Sequence, residues 1–482
     1  MRWGYVLRAL GALVVCIGLT MLLPLAFALY HREGGLIPMS ESMGLSLALG
    51  LGLLLAFRKS QADSMTHREG IAIVAFGWLG AGLVGALPFY LGGCFEAFVD
   101  AFFESVSGFT TTGASVLTDI EALPRGLLMW RSLTHWLGGM GIIVLSLAVL
   151  PFLGVGGMQL YKAEVPGPAP DKLRPRMRDT AKSLWWVYLF FSALETVLLL
   201  LGGMDLFESL CHTFGTMATG GFSTKNASIA HYDSAYIDTV VIVFMLLAGI
   251  NFSLHYLLLK GNPRAMWTDP ECRFFLGAVV LFTLVSTFSV FGEVYASFWT
   301  SLRYAAFQVV SIVTTTGYAT ADYEQWPALP QCILLFCMFL GGSAGSTGGG
   351  MKCMRMMLVI KHGYQELLHL IHPRAVMQIK LGGRYVSDEV MKSIWGFFII
   401  YLGLFILSSF VVAAMGVDVV TSFAAVAATI GNIGPGLGDV GPTDNYAHFP
   451  DLVKWLLSFC MLLGRLEIYT VAVLLVPEFW KR

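Results

Sequence analysis

Four short runs in this 482-residue chain join threonine to glycine. They are Thr110-Thr111-Thr112-Gly113-Ala114-Ser115, Thr219-Gly220-Gly221-Phe222-Ser223-Thr224, Thr314-Thr315-Thr316-Gly317-Tyr318-Ala319 and Thr429-Ile430-Gly431-Asn432-Ile433-Gly434-Pro435-Gly436. The chemistry open to them is the binding of a monovalent cation. Glycine admits backbone angles that turn successive carbonyls to one side, and threonine adds a hydroxyl oxygen. A ring of such oxygens can replace a cation's hydration shell, which is how a selectivity filter works. The candidate ion-binding residues are Thr111, Thr112 and Gly113; Thr219, Gly220 and Gly221; Thr315, Thr316 and Gly317; and Asn432, Ile433 and Gly434. In the second run either Gly220 or Gly221 can be central, and aligning Phe222 with Tyr318 favours Gly221. In the fourth, Asn432-Ile433-Gly434 fits the spacing better than Thr429-Ile430-Gly431, because it leaves room for a full helix before it. A single run of this kind is usually a turn between helices. Four at matched positions point to one shared cavity, because irregular backbone at membrane depth is tolerated only inside protein or beside water.

Two further features bear on ion passage. The stretch GGSAGSTGGGMK, residues 341–352, holds six glycines in twelve residues, half-way along an apolar segment. Glycine costs about 1 kcal/mol per helical position relative to alanine, so a helix should break here. A loop at that depth must face the internal cavity, and its small residues can move at little steric cost. The residues concerned are Gly341, Gly342, Ser343, Gly345, Ser346, Thr347, Gly348, Gly349 and Gly350. The plainer reading is close helix packing through small side chains. Arg465 places a guanidinium in the middle of the last apolar segment, where a charge is expensive and needs a cavity or a partner. Glu467, two residues on, does not share its helix face, which leaves the carbonyls of the broken loop, or an ion pair elsewhere in the bundle. Lys225 reads as a charge at the outer mouth, and Arg303 falls in the third short helix. Glu104, Glu208, Asp322 and Asp439 either draw cations electrostatically or are simply solvated.

The elements that carry these residues must be membrane helices. Hydrophobic residues make up 56% of the chain and charged ones 13%, and the mean hydropathy is +0.71, so a soluble globular protein is excluded. Residues 9–30, 70–95, 274–292 and 393–417 are free of charge and long enough to cross a hydrocarbon core. The first lacks a small-residue cleavage site and is read as a transmembrane helix rather than a signal peptide. Eight cysteines form no CxxC pair and read as buried thiols.

Two helices ending near residues 30 and 57 come first, and then a unit repeats. Each unit is a long apolar helix, a short helix, one of the glycine runs and a second long helix. The short helices span 100–109, 206–217, 300–313 and 419–428, too short to cross a bilayer and so re-entrant. The second long helices are 132–160, 239–259, 330–360 and 452–477. This divides the chain into 1–69, with two leading helices, then 70–161, 162–260, 261–362 with the glycine-rich loop, and 363–482. The fold class expected is an all-α polytopic membrane protein in pseudo-fourfold arrangement. Lys162, Lys172, Arg174, Arg176, Arg178 and Lys182, and the basic residues of 352–392, mark cytoplasmic loops, whereas 317–330 and 431–451 carry acidic residues and no Lys or Arg. Ten crossings with both termini in the cytoplasm satisfy that bias.

The third run is close to the TVGYG filter of potassium channels. The repeated helix, pore helix, filter and helix, with one degenerate glycine filter per unit, resembles the Trk/Ktr/HKT superfamily. The two leading helices, GGSAGSTGGGMK and GRLEIYT bring it nearest the membrane subunits of bacterial Trk potassium uptake systems. That resemblance covers essentially the whole chain. It implies potassium at the four filters and a gate formed by residues 341–350. It further implies a homodimer in the bacterial inner membrane and a cytosolic nucleotide-binding regulatory ring of the TrkA type, docking on the basic cytoplasmic segments. In this superfamily a glycine at the position of Gly113 accompanies potassium selectivity, and some sodium-conducting plant relatives have serine there.

Other chemistries fit poorly. Gly341-Gly342-Ser343-Ala344-Gly345 satisfies GxSxG but lacks the strand-turn-helix setting of a nucleophile elbow. His135, His212 and His255 lie in other segments without distinctive pairing. Residues 436–441 fit GxGxxG only formally, following a proline on the outer side. No catalysis, no nucleotide bound by this chain and no nucleic-acid partner are expected. The rival function is a potassium symporter coupled to protons or sodium. Coupled carriers usually bind between inverted repeats, whereas four units of one orientation favour a channel-like pore.

Overall fold

In the computed structural model the residues described are 1–32, 34–60, 66–148, 173–374, 378–382 and 384–481. The end of the first unit's second helix (149–160), the boundary at 161/162, Lys162 and Lys172 lie outside the described residues, as do the side chains of Arg174, Arg176 and Arg178.

The described residues are helical almost throughout, with one two-residue antiparallel pair among them, Lys380–Leu381 against Arg384–Tyr385. Among the described residues six helices are long and apolar enough to cross a membrane, or eight if two sharply bent pairs each count as one span. The leading helices Trp3–Thr20 and Leu36–Ala56 pack through Gly11 and Gly50. A Cβ built on Gly11 would lie 3.0 Å from the Gly50 carbonyl oxygen, so the contact needs glycine on both sides.

The short helices are Phe98–Phe109, Leu206–Met217, Phe298–Val313 and Val419–Ile430. Their burial inverts the pattern of the long helices. Nearly every residue of Phe98–Phe109 is buried, whereas the long helices turn residues such as Leu281, Ile399 and Phe410 outward, each more than half exposed. So much apolar surface facing out is costly in water and natural in lipid. The short helices are thus the core, and the long ones wrap it.

Two of the four are capped by aspartate. Asp205 accepts a hydrogen bond from the Glu208 amide at 2.6 Å and Asp418 one from the Thr421 amide at 3.1 Å. The side-chain and backbone bonds from Thr421 hold the Asp418 carboxyl below its ordinary range. Replacing Asp205 by alanine should cost about 1 kcal/mol, measured as a lower thermal midpoint in detergent with the helical circular dichroism unchanged.

Two second helices are broken where an unbroken helix is expected. The segment expected as 239–259 is Ala235–Gly249 followed by Phe252–Leu259 at 104°, and that expected as 452–477 is Asp451–Arg465 followed by Tyr469–Leu475 at 110°. In the third unit the chain leaves helix between Ala328–Leu340 and Cys353–Ile371, across the glycine-rich stretch. The first break follows from the third. The Gly249 carbonyl accepts the Ser343 amide at 2.9 Å and the Phe252 amide donates to the Gly345 carbonyl at 3.1 Å. Groups freed at one break are satisfied by the other. At the last break, Glu467 and Ile468 have φ of 59° and 38°, and Glu467 pairs with Arg355.

Candidate functional site

All four short helices end in the same turn. Thr111, Thr219, Thr315 and Asn432 follow them with φ of 53°, 55°, 62° and 54°. The next residue in each run sends its amide back five residues: Thr112 to Ser107 at 2.9 Å, Gly220 to Gly215, Thr316 to Ser311 and Ile433 to Ala428 at 2.8 Å. This is the Schellman closure of a helix, which ordinarily places glycine or asparagine in the left-handed position. Threonine there is strained, by about 1–3 kcal/mol, and it recurs three times. The residue after the returning amide is again left-handed: Gly113, Gly221, Gly317 and Gly434, with φ of 81°, 80°, 82° and 100°. By this equivalence Gly221, not Gly220, corresponds to Gly113 and Gly317, and Gly434, not Gly431, completes the set.

The four turns close on one another. A Cβ built on Gly113 would overlap the carbonyl oxygen of Gly220, one on Gly221 that of Thr316, and one on Gly317 that of Ile433. One on Gly434 would stand 2.7 Å from the Thr112 oxygen. Each central glycine therefore abuts the carbonyl before the next central glycine, and the fourth returns to the first. The side chain of Asn432 strengthens that last junction, donating to Thr112 Oγ1 and to the Met461 carbonyl at 2.9 Å each. Within the first and third runs hydroxyls pair, Thr110 with Thr112 at 2.7 Å and Thr314 with Thr316 at 2.8 Å. Thr111 Oγ1 is buried and has no hydrogen-bond partner among the described residues.

The glycine-rich segment lies against three of these turns. Thr347 Oγ1 donates to the carbonyl of Met217 at 3.0 Å, the Gly349 amide donates to Thr315 Oγ1 at 2.6 Å, and the Gly350 amide to the Gly431 carbonyl at 2.9 Å. Gly341, Gly345 and Gly350 have φ near +70°, and a Cβ on Gly348 would stand 3.0 Å from the Thr314 carbonyl oxygen. Ser346 Oγ donates to the Ser343 carbonyl at 2.6 Å, and the Gly342 carbonyl accepts the Cys353 amide at 3.0 Å. Arg465 lies at the end of Asp451–Arg465 rather than mid-helix, 2% exposed. Its Nη1 donates to the Thr347 carbonyl at 2.8 Å and its Nη2 to the Gly138 carbonyl at 3.3 Å. Its partners are thus the broken loop and the first unit, and no carboxylate is among these bonds.

A model of the TrkH family, described as a cation transport protein, matches residues 40–482. The chain belongs to the TrkH family. It is 43% identical over 485 residues to the Trk system potassium uptake protein TrkH of Escherichia coli K12, covering 100% of both chains. To the TrkH of Halomonas elongata it is 42% identical, with 99% of each chain covered. Its fold matches the crystal structure of the potassium transporter TrkH from Vibrio parahaemolyticus with a TM-score of 0.92, at 39% identity and with both chains fully covered. These relatives are named for transport.

Beyond the glycine runs, this TrkH-family chain departs from expectation at Glu104. Expected as a mouth charge or solvated, Glu104 is fully buried and bound to Arg131 Nε at 2.6 Å, because its helix faces the core. Lys225 meets Glu208 at 3.0 Å, both partly exposed, and Arg303 faces Asp238 at 3.5 Å. Asp322 and Asp439 flank Glu324, which accepts the Gly438 amide at 2.6 Å. Burial pushes the Glu324 carboxyl above its usual range against that hydrogen bond, and Asp322, Asp444 and Asp439 add like charge.

The TrkH fold brings four further residues to the site: Arg131 and Glu271, which the sequence reading passed over, His135, which it read as lacking distinctive pairing, and Lys352, which it read as a cytoplasmic-loop charge. Arg131 and His135 both lie against the Phe222 ring. Lys352 donates to the Gly348 carbonyl, and Glu271 accepts the amides of Ala344 at 2.7 Å and Met354 at 3.1 Å. A charge inside an apolar segment was the signal available for Arg131, whereas Glu271 stands between Asp269 and Arg273 and Lys352 close to Arg355, where charge is unremarkable.

Proposed function

We propose that this chain carries potassium ions across the bacterial inner membrane through a gated, potassium-selective pore, and performs no catalysis. The observation that carries this reading is the closed ring of four left-handed turns, with the carbonyls of Thr112, Gly220, Thr316 and Ile433 at its junctions. Short helices run into the ring by their C-terminal ends, whose partial negative charge favours a cation. The unpartnered Thr111 hydroxyl is one more oxygen available to an ion. The relatives' names, potassium uptake proteins, supply the ion.

The glycine-rich segment and Arg465 form the gate. A guanidinium bound to the loop carbonyls fixes the loop under the ring and repels a cation leaving it. Potassium enters from outside, exchanges water for ring oxygens, and reaches the cytoplasm when the loop moves aside. The chain works as a homodimer with both termini cytoplasmic, and a TrkA-type nucleotide-binding ring docks on the basic cytoplasmic segments.

Flux into proteoliposomes containing this subunit alone, with the potential clamped and the pH and sodium gradients varied, tests the pore. Potassium should follow its own electrochemical gradient whatever the other gradients. An inside-negative 100 mV contributes about 2.3 kcal/mol per charge, roughly fiftyfold in equilibrium accumulation. Accumulation beyond that limit, driven by protons or sodium, would make the protein a symporter on a channel-like frame.

A further inference from the structure

We propose that the buried Arg131–Glu104 pair is a positioning element that sets the spacing of the first two filter loops, and with it the preference among cations. The inference rests on reading the four turns as the filter.

The pair touches the exits of two adjacent loops at once. Glu104 receives Ser115 Oγ at 3.0 Å and the Val116 amide at 3.0 Å, just after Gly113. Arg131 donates Nε to Glu104 at 2.6 Å and Nη1 to the Ser223 carbonyl at 2.9 Å, two residues after Gly221. Its guanidinium carbon also lies 3.5 Å from the centre of the Phe222 ring. One helical turn further on, His135 also stacks on that ring, with centroids 4.0 Å apart. His135 Nε2 accepts the Phe222 amide at 3.2 Å, so Nδ1 carries the proton it donates to the Gly108 carbonyl at 2.7 Å. Phe222, adjoining the central glycine of the second loop, is thus held by a cation, an imidazole and a hydrogen bond to its own backbone.

The other junctions are held differently. Tyr318 Oη lies 3.1 and 3.2 Å from the carbonyls of His212 and Phe222, and Tyr323 Oη donates to the Gly436 carbonyl at 2.7 Å. Tyr446 Oη donates to the Gly434 carbonyl at 2.7 Å, while its amide reaches the Ser115 carbonyl at 2.8 Å. These are neutral hydroxyls, which can rotate and slide. A guanidinium is a rigid planar fork. Desolvating two ions is expensive, so such a pair adds little net stability, yet it fixes geometry closely. Oxygen cages that differ by fractions of an ångström favour different ions, and a matched pair does this beside a cation path without adding net charge.

The test is the potassium-to-sodium flux ratio in proteoliposomes for Glu104→Gln, Ser115→Ala and Gly113→Ser, each checked for folding by gel filtration and thermal melting. Glu104→Gln should lower the ratio roughly tenfold, equivalent to about 1.4 kcal/mol of differential ion binding. Ser115→Ala, which removes one arm and leaves the pair, should lower it about two- to threefold. Should Glu104→Gln not fold, Ser115→Ala decides. A purely structural pair would change the melting point and leave the ratio at the parent value, which overturns the proposal. If Gly113→Ser alone changes the ratio, the positioning role falls and the filter reading stands; if none of the three changes it, both fall.

Discussion

A Gly113→Ser variant should lose roughly tenfold or more of its preference for potassium over sodium. The left-handed conformation costs a residue with a side chain about 1–2 kcal/mol, and Gly113 sits at φ 81°. Its new Cβ would also overlap the carbonyl oxygen of Gly220. Either the first turn flips, withdrawing its own oxygens, or the second is pushed away. A flip disturbs the junction of Thr112 with Gly434 and a displacement that of Gly220 with Gly113, while the junction of Gly317 with Ile433 lies on the far side of the ring and keeps its partners. A potassium cage that loses its fit admits the smaller, more strongly hydrated ion with part of its water. Total flux can therefore persist while the ratio falls, which makes the flux ratio the measurement of choice. A well-folded variant with the parent ratio would remove Gly113 from the filter.

Arg465→Ala should raise potassium flux through the isolated subunit by about tenfold. A hydrogen bond from a charged donor contributes about 1.5–3 kcal/mol, and Arg465 makes one of 2.8 Å to the Thr347 carbonyl. Losing it releases the loop from the last helix, and losing the charge removes repulsion below the ring. Deleting part of 345–350 should act in the same direction. Alanine leaves Thr347 bound to Met217 and Ala248, so closure is weakened rather than abolished. Flux that is unchanged or lower, in protein of normal elution and melting, would refute the gate.

The legible parts of this molecule are those decided by local chemistry. Short apolar helices before glycine runs stand within a few residues of their expected bounds, as Leu206–Met217 does. The helix likewise ends at Leu340, where six glycines begin. What stayed hidden depends on distant partners. Glu104 and Arg131 stand 27 residues apart on different helices, and nothing local distinguishes Glu104 from a solvated carboxylate. The break after Gly249 has no proline to announce it; its carbonyl can leave the helix because the Ser343 amide, far along the chain, bonds it. The left-handed threonines were missed for a related reason. Local preference argues against them, and only Asn432 is of a type that tolerates that conformation readily.

The four turns belong to one polypeptide, and the residues offering their carbonyls at the junctions are Thr112, Gly220, Thr316 and Ile433. In a pore assembled from identical subunits, any substitution appears in every quadrant together, and a tolerable change in one place becomes four changes at once. Here a single codon alters a single quadrant. Each side of the ring has accordingly been free to acquire its own support and its own neighbours beneath it. Lopsidedness, which symmetry forbids to a homotetramer, is available to this ring as raw material.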